Sequence, residues 1–442
     1  MKIEDWRTAN LGDLVDPEMG WVSREIFVSP EIHRLEMERL FLRSWLFLGH
    51  ESEVPKPGDY VTRQMGDDPV IVARDKDSRL RVFLNACPHR GSMLCRADEG
   101  NKMAFQCPYH GWTFGNDGAL VTVADQFDDY RGRVDFNDYR LVEARVGTYA
   151  GCIFATFDDE LMDLDSYLGD SRWYIDMFFS KTPGGVEVLG APLRWQAQKN
   201  WKYGAVNFAA DGPHALAVHG PVTQYIVGGD AFPREELLKI AKTGPAIRME
   251  NGHGGIFING PEGAPPWFGF DPELIETYHR TLDENQIKLM EYMFNGVFTI
   301  FPNMSWVHFP ITFSEQQYPA MFFNLRTWQP TAADRTQIWN WFMVDKEAAD
   351  WYKEASLRAG VQTFTAAGTF DQDDAEAWAA INNGSKGTIG RRQRSSYQMI
   401  LASEEDHITD FPGPGKAYAS TYSEMSEFGI FLEWRKRMMQ AG

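Results

Sequence analysis

The chain has 442 residues, 43% of them apolar and 24% charged, which is the balance of a soluble globular protein with core enough for two or three domains. A net charge of −19 excludes a nucleic-acid surface, which needs basic residues against the phosphates. No apolar run approaches the roughly 18 residues of a membrane span, the opening MKIEDWRTANLGDL is too acidic and polar for a signal peptide, and four cysteines suit a reducing compartment, so a cytoplasmic protein is expected.

In chain order, Ser29-Pro30-Glu31 opens a helix, with Ser as N-cap, Pro at the first helical position and an acid in the first turn. Ile32, Leu35, Met37, Leu40, Phe41 and Trp45 follow at roughly helical spacing. From Asp59 to Phe157, short β-rich runs (Val70–Ala73, Leu80–Leu84, Trp112–Phe114, Cys152–Phe157) are broken by Gly, Pro and Asp turns, the pattern of a small all-β domain. Beyond about residue 160 the chain is mixed. Val186–Val188 and Arg194–Gln198 are predicted strands and Asn200–Ala210 a predicted helix. Residues 251–270, rich in Gly and Pro, read as a loop, either a lid or a surface crossing. Phe298–Phe301, Met321–Arg326 and Gln337–Val344 are predicted strands. Asp373 and Glu376 have the spacing of a helix start, with Gly384 as the stop. Thr421 and Glu424 predict the start of a last helix that ends in Arg435, Lys436 and Arg437.

Two hooks stand inside the β-rich region: Cys87-Pro88-His89-Arg90-Gly91 and Cys107-Pro108-Tyr109-His110-Gly111-Trp112. Each supplies one thiolate and one imidazole. Two thiolates on one iron and two imidazoles on the other make the ligand set of a Rieske [2Fe–2S] centre. A structural zinc would also accept two Cys and two His. Zinc sites usually pair Cys with Cys and His with His, however, whereas C-x-H and C-x2-H suit two different irons. The disulfide clamp of respiratory Rieske proteins is absent, since Tyr109 holds the second clamp position and Cys95 lies too far along for the first. Cys95 and Cys152 are expected to be reduced and buried.

A second metal is suggested further on. Asn207, Asp211 and His214 fall at i, i+4 and i+7, one face of a helix. His219 lies about 140° from His214 on an ideal helix, so both imidazoles reach one metal only if the helix is distorted or ends between them. Gly212-Pro213 makes a distortion plausible. Two His plus one carboxylate is the facial triad of non-haem Fe(II) oxygenases. The best candidate for the distant acid is the pair Asp373-Asp374, of which a helix-capping role suits Asp373 better. His33, His50, His253, His279, His308 and His407 lack such company and read as structural or solvated.

The hooks, the NWK…NF…D…H…H stretch (Asn200 to His219) and the F-D-Q-D-D-A-E-A-W segment (Phe370 to Trp378) resemble the large (α) subunit of Rieske non-haem iron ring-hydroxylating dioxygenases, nearest to those of naphthalene, biphenyl and polycyclic aromatics. The resemblance covers essentially the whole chain. It implies an α+β fold: an N-terminal helical segment (1–40) packing on the catalytic domain, a small all-β Rieske domain (41–158), and a catalytic domain (159–442) with an antiparallel sheet surrounded by helices. Cys87, His89, Cys107 and His110 would hold the cluster, and His214, His219 and Asp374 a mononuclear Fe(II). Asp211 would bridge a cluster histidine of one subunit to the iron site of its neighbour in a ring of three, and Asn207 matches a pocket position beside the iron. Phe208, Ala215, Leu216, Phe364 and Phe370 are the expected pocket walls, by the resemblance and their apolar character. Two positions depart from the family: Val206, where an acid is common, and Pro213, where an aromatic is common. The implied activity is addition of both atoms of O2 to an aromatic ring, giving a cis-dihydrodiol, with electrons from a ferredoxin or reductase. A small β subunit is implied as partner, in a homotrimer of α or an α3β3 assembly. A Rieske monooxygenase or O/N-demethylase shares the same metals; a pure electron carrier would lack the His214, His219 and Asp374 set.

Overall fold

Residues 41–164 form one unit, and residues 1–40 with 165–442 another. The computed structural model describes residues 10–124, 130–226, 234–312, 317–400 and 407–440, so most of the opening stretch weighed against a signal peptide lies outside it. Among the described residues no helix is long and apolar enough to cross a membrane.

The 41–164 unit is built on β-strands. Seven run antiparallel in the order Leu46–His50, Cys152–Thr156, Glu143–Tyr149, Leu80–Leu84, Asp68–Arg74, Asp59–Met65, Glu99–Asn101. Three more pair as Leu120–Thr122, Thr113–Gly115 and Ala104–Gln106. Apolar residues from both sheets, among them Ile71, Phe83, Phe105 and Phe114, close over Cys87, Cys107 and Trp112. The second hook is the loop joining Ala104–Gln106 to Thr113–Gly115, where Gln106 pairs with Thr113. Strand pairing thus closes the hook at its base.

The larger unit is organised on an antiparallel sheet in the order Val186–Val188, Arg335–Asp345, Met321–Ala332, Met304–Pro310, Met293–Ile300, Gly254–Asn259, Ala246–Arg248, Lys416–Tyr418, with Leu193–Ala197 also pairing to Arg335–Asp345. The first ten residues of Met321–Ala332 are buried without interruption, as expected of a strand covered on both faces. The Asp350–Thr363 helix packs on it, while the Trp201–Ala210 helix packs on Met293–Ile300 and Gly254–Asn259. Asn200 caps that helix as an N-cap should, its side chain accepting from the Lys202 N–H. Buried Glu36 then ties three helices together: its carboxylate accepts from the indoles of Trp201 (3.0 Å) and Trp434 (2.7 Å) and pairs with Lys202.

Several expectations need correction. Ser29 does cap a helix, Pro30–Glu36, but one wide turn over Met37–Phe41 ends it well short of Trp45. Residues 251–270 are not one continuous loop, because Gly254–Asn259 is a strand inside the large sheet; the part beyond it, from Gly260, is irregular and lines a cavity. Gly255 is there because an added Cβ would lie 2.2 Å from the Phe298 ring. The helix expected from Asp373 begins earlier, at Thr369, and passes Gly384 to reach Lys386. The last helix starts at Met425, not at Thr421. Both side chains of that second start signal are used elsewhere: the Thr421 hydroxyl donates to the Ala241 carbonyl and the Glu424 carboxylate accepts from the Met399 N–H.

Candidate metal centres and substrate chamber

The two hooks are turns of the same shape. In each, the Cys carbonyl accepts from the Gly four residues on (Gly91 N–H 2.7 Å, Gly111 N–H 3.0 Å). The Cys N–H donates to the carbonyl just beyond that Gly, Ser92 at 2.9 Å and Trp112 at 2.7 Å. Both glycines sit at φ 74°, in the left-handed region that favours Gly. The turn folds the His back beside the Cys, and the His89 and His110 rings lie 4.7 Å apart, centre to centre. Trp112 stacks flat on His89, also at 4.7 Å.

Burial pushes the Cys87 thiol up, against the His89 and Arg90 N–H groups. Burial raises Cys107 too, but the N–H groups of Tyr109 and His110, with the Cys87 thiol and the Ser92 hydroxyl, hold it below the ordinary thiol range. Burial, with His110 and Arg90 nearby, lowers the His89 pKa, which favours the neutral imidazole that a ligand must be. His89 Nδ1 is shut away from solvent without a hydrogen-bond partner. Two facing thiols and an orphaned imidazole nitrogen fit a cluster held through two Sγ and two ring nitrogens. Cys95 and Cys152 are free thiols, both buried, as expected; burial drives Cys95 up to about 11.

His214, His219 and Asp374 converge in the larger unit. The Trp201–Ala210 helix stops at Asp211, and a short helix, Gly212–Ala217, starts there in a new direction. The Asp211 Oδ1 caps it, accepting the His214 N–H at 3.2 Å. Pro213 falls in its first turn, where a missing N–H costs nothing, so this departure from the family is accommodated. The short helix ends before His219, which resolves the expected mismatch of angle. Asp211 therefore lies at a break, not on a continuous face with Asn207 and His214. Its bond to the His214 ring also differs from expectation: the Asp211 backbone carbonyl lies 2.5 Å from Nδ1, while carboxylate Oδ2 stays 3.8 Å away. That bond places the ring proton on Nδ1 and turns Nε2 toward the metal position.

The three donor atoms form a nearly regular triangle. His214 Nε2 is 3.2 Å from His219 Nε2, and these lie 3.5 and 3.2 Å from Asp374 Oδ1. A cation ~2.1 Å from each donor, with right angles between bonds, needs donors ~3.0 Å apart. The charges agree. Burial would lower His219 and raise Asp374, yet each overcomes this through the other, so His219 rises and Asp374 falls. Asp374 is therefore held as the carboxylate, the form in which it can ligate a metal. Asp373 is 42% exposed at its side chain and 3.7 Å from His219 Nδ1, outside the triangle. Asp374 is the converging acid.

A cavity of about 130 Å³ opens from the triangle. Asn207, Phe208, Asp211, Ala215, Leu216, Phe364 and Phe370 all line it, so every expected pocket residue is brought to one place. The sheet adds walls that the reading of the sequence missed, including Ile256, Asn295, Val297, Val307 and Phe309. A second cavity of about 360 Å³ adjoins it, sharing Thr223, Ile240, Phe294, Phe309 and Phe370. Beneath the walls Arg326 is tied to Asp371 by two bonds (3.0 and 3.3 Å), and its guanidinium lies 4.8 Å from the Phe208 ring and 5.0 Å from that of Phe364. Lys199, wholly buried, places Nζ 3.1 Å from the centre of the Trp378 ring and 4.0 Å from that of Trp328. Burial drives its pKa far down, against the pull of Asp374. Neither Arg326 nor Lys199 carried a motif.

Residues 44–130 match the Rieske [2Fe-2S] domain family, and residues 164–413 match the ring hydroxylating alpha subunit (catalytic domain) family. The chain belongs to the Rieske ring-hydroxylating oxygenase α subunits. Members of this family carry a Rieske [2Fe–2S] cluster and a mononuclear non-haem iron, the two groups that the hooks and the triangle fit. The chain is 33% identical to the benzene 1,2-dioxygenase subunit alpha of Pseudomonas putida, covering 98% of this chain and 95% of that one. It is 34% identical to the N,N-dimethyl phenylurea N-demethylase subunit alpha of Sphingobium sp. (strain YBL2), over 95% and 92%. The structure of naphthalene 1,2-dioxygenase from Rhodococcus sp. bound to indole superposes with a TM-score of 0.91 at 34% identity, over 99% of each chain.

Proposed function

We propose that this protein is the terminal oxygenase component of a multicomponent aromatic ring-hydroxylating dioxygenase, adding both atoms of O2 to one face of an arene to give a cis-dihydrodiol. The observation that carries this reading is the triangle of His214, His219 and Asp374 opening directly onto an apolar chamber. In this reading Cys87, His89, Cys107 and His110 hold the cluster, and the triangle holds Fe(II). The cluster would supply electrons one at a time, and the iron O2 activation beside the ring, so no acid–base pair on the protein is needed. The chain's own part is placement. Phe208, Leu216, Phe364 and Phe370 exclude water and hold a flat apolar ring, and Asn207 flanks the iron position. The Asp211 carbonyl keeps His214 in its ligating tautomer.

The electrons would come from NAD(P)H through a ferredoxin, a reductase or both, in the cytoplasm. Relatives named as alpha subunits support a small β partner and an α3 or α3β3 assembly. The phenylurea N-demethylase relative favours a second reading, oxidative demethylation on the same metals. Turnover under ¹⁸O2 separates the two. Two labelled atoms in a dihydrodiol are expected; one labelled atom, or formaldehyde release, would establish the second reading instead.

A further inference from the structure

Three neighbouring strands present one face to the chamber. Ile256 pairs with Val297, Ile258 with Asn295, and Val297 with Val307. Side chains alternate across a sheet, so residues in register share a face. Ile256, Ile258, Asn295, Val297, Val307 and Phe309 all line the cavity, and Asn295 alone among these six is not hydrocarbon. Its Oδ1 is shut off from solvent and meets no donor within the protein. A strand position between apolar neighbours is best filled by a β-branched aliphatic residue. An unpaired buried carbonyl oxygen works against the fold. The amide therefore needs an account that packing does not provide.

We propose that Asn295 is a specificity-determining residue, whose carboxamide pairs with an N–H or O–H donor carried by the substrate's ring system. This inference rests on the oxygenase reading above and narrows its substrate class. The χ2 of Asn turns broadly, so Oδ1 can swing to a donor in the chamber. A site that leaves its own polar group unpaired discriminates against the analogue lacking the partner. Among the described residues lining the two cavities there is no Lys or Arg, while Asp211, Asp374 and Glu291 are present. A carboxylated arene would meet no cationic side chain among these described residues, whereas a neutral heteroarene, phenol or N-aryl compound suits both the walls and the amide.

The matched pair indole and indene tests this, since one differs from the other by N–H in place of CH2. Dissociation constants are measured by equilibrium dialysis on the metal-loaded protein without reductant, for wild type, Asn295→Val and Asn295→Thr. Valine and threonine have the same shape on a strand and differ in the hydroxyl. Wild type should bind indole at least ~10-fold tighter than indene. Asn295→Val should bring that ratio to about one, and Asn295→Thr should keep a several-fold preference, with the cluster spectrum and iron content of all three alike. Equal affinities in wild type, or a preference that survives in Asn295→Val, would overturn the proposal. Because binding is read without turnover, a failure to form labelled dihydrodiol would count against the oxygenase reading and leave this result standing.

Discussion

Replacing Asp371 by alanine removes the carboxylate that neutralises Arg326 beneath the chamber. Both side chains are fully buried, joined by bonds of 3.0 and 3.3 Å. The guanidinium is otherwise surrounded by Phe208, Phe364 and Trp328, with Asn324 Oδ1 as its remaining acceptor. Alanine leaves a charge with no counterion in an apolar setting, a change that costs about 3–5 kcal/mol. That is a large fraction of the ~5–15 kcal/mol that stabilises a typical protein. The same helix carries Asp374 one turn further on, so mononuclear iron content should fall as well. Removing both charges together, as Arg326→Met with Asp371→Leu, should recover most of the loss, since buried pairs are often replaceable by apolar residues of similar volume. Urea unfolding followed by tryptophan fluorescence, with iron counted by mass spectrometry, reads both effects. A cost of under ~1 kcal/mol for Asp371→Ala, or a double variant no better than the single, would refute the reasoning.

The purified protein should be red-brown with about three irons per chain, and Asp374→Ala should lose one of them while the cluster's visible spectrum is unchanged. Asp373→Ala should keep all three and cost no more than ~0.5 kcal/mol, because its side chain is partly exposed and sits inside the helix instead of capping it. Asp211→Ala should lose ~1 kcal/mol with the helix cap and retain both metals, yet slow electron delivery, on the reading that Oδ2 accepts from a cluster histidine of a neighbouring copy. Single turnover from a pre-reduced cluster at the normal rate would remove Asp211 from that role. His253 is buried between the Tyr167 carbonyl and the Phe301 N–H, and burial lowers its pKa from 6.5 to about 4. The unfolded chain therefore takes up a proton first on acidification, and about 3 kcal/mol of stability should drain away between pH 6.5 and 4. A His253→Asn variant should lack that slope; an equal slope in both would show that another group titrates.

The residues that announce this protein lie close together along the chain. A Cys and a His within a five- or six-residue hook, or one His inside a short helix and a second just past its end, are local geometry, and the spacing and the Gly at the turn are visible in the sequence. Asp374 is different. Sequence reasoning left the pair Asp373-Asp374 open, and the resemblance chose between them. The chemistry of that choice lies in where the helix starts: beginning at Thr369, it turns Asp371 and Asp374, three residues apart, toward the interior and Asp373 outward. The local start signals at Asp373 and Thr421 misled because tertiary partners outweigh a cap worth ~1 kcal/mol. Only the folded sheet reveals the chamber's far wall. Ile256, Asn295 and Val307 come from three strands whose register is set by pairing across the sheet, and nothing near any one of them in sequence says which face it will share. Arg326 and Lys199 were invisible for the same reason, since a buried charge is recognisable only by the partners that folding places around it.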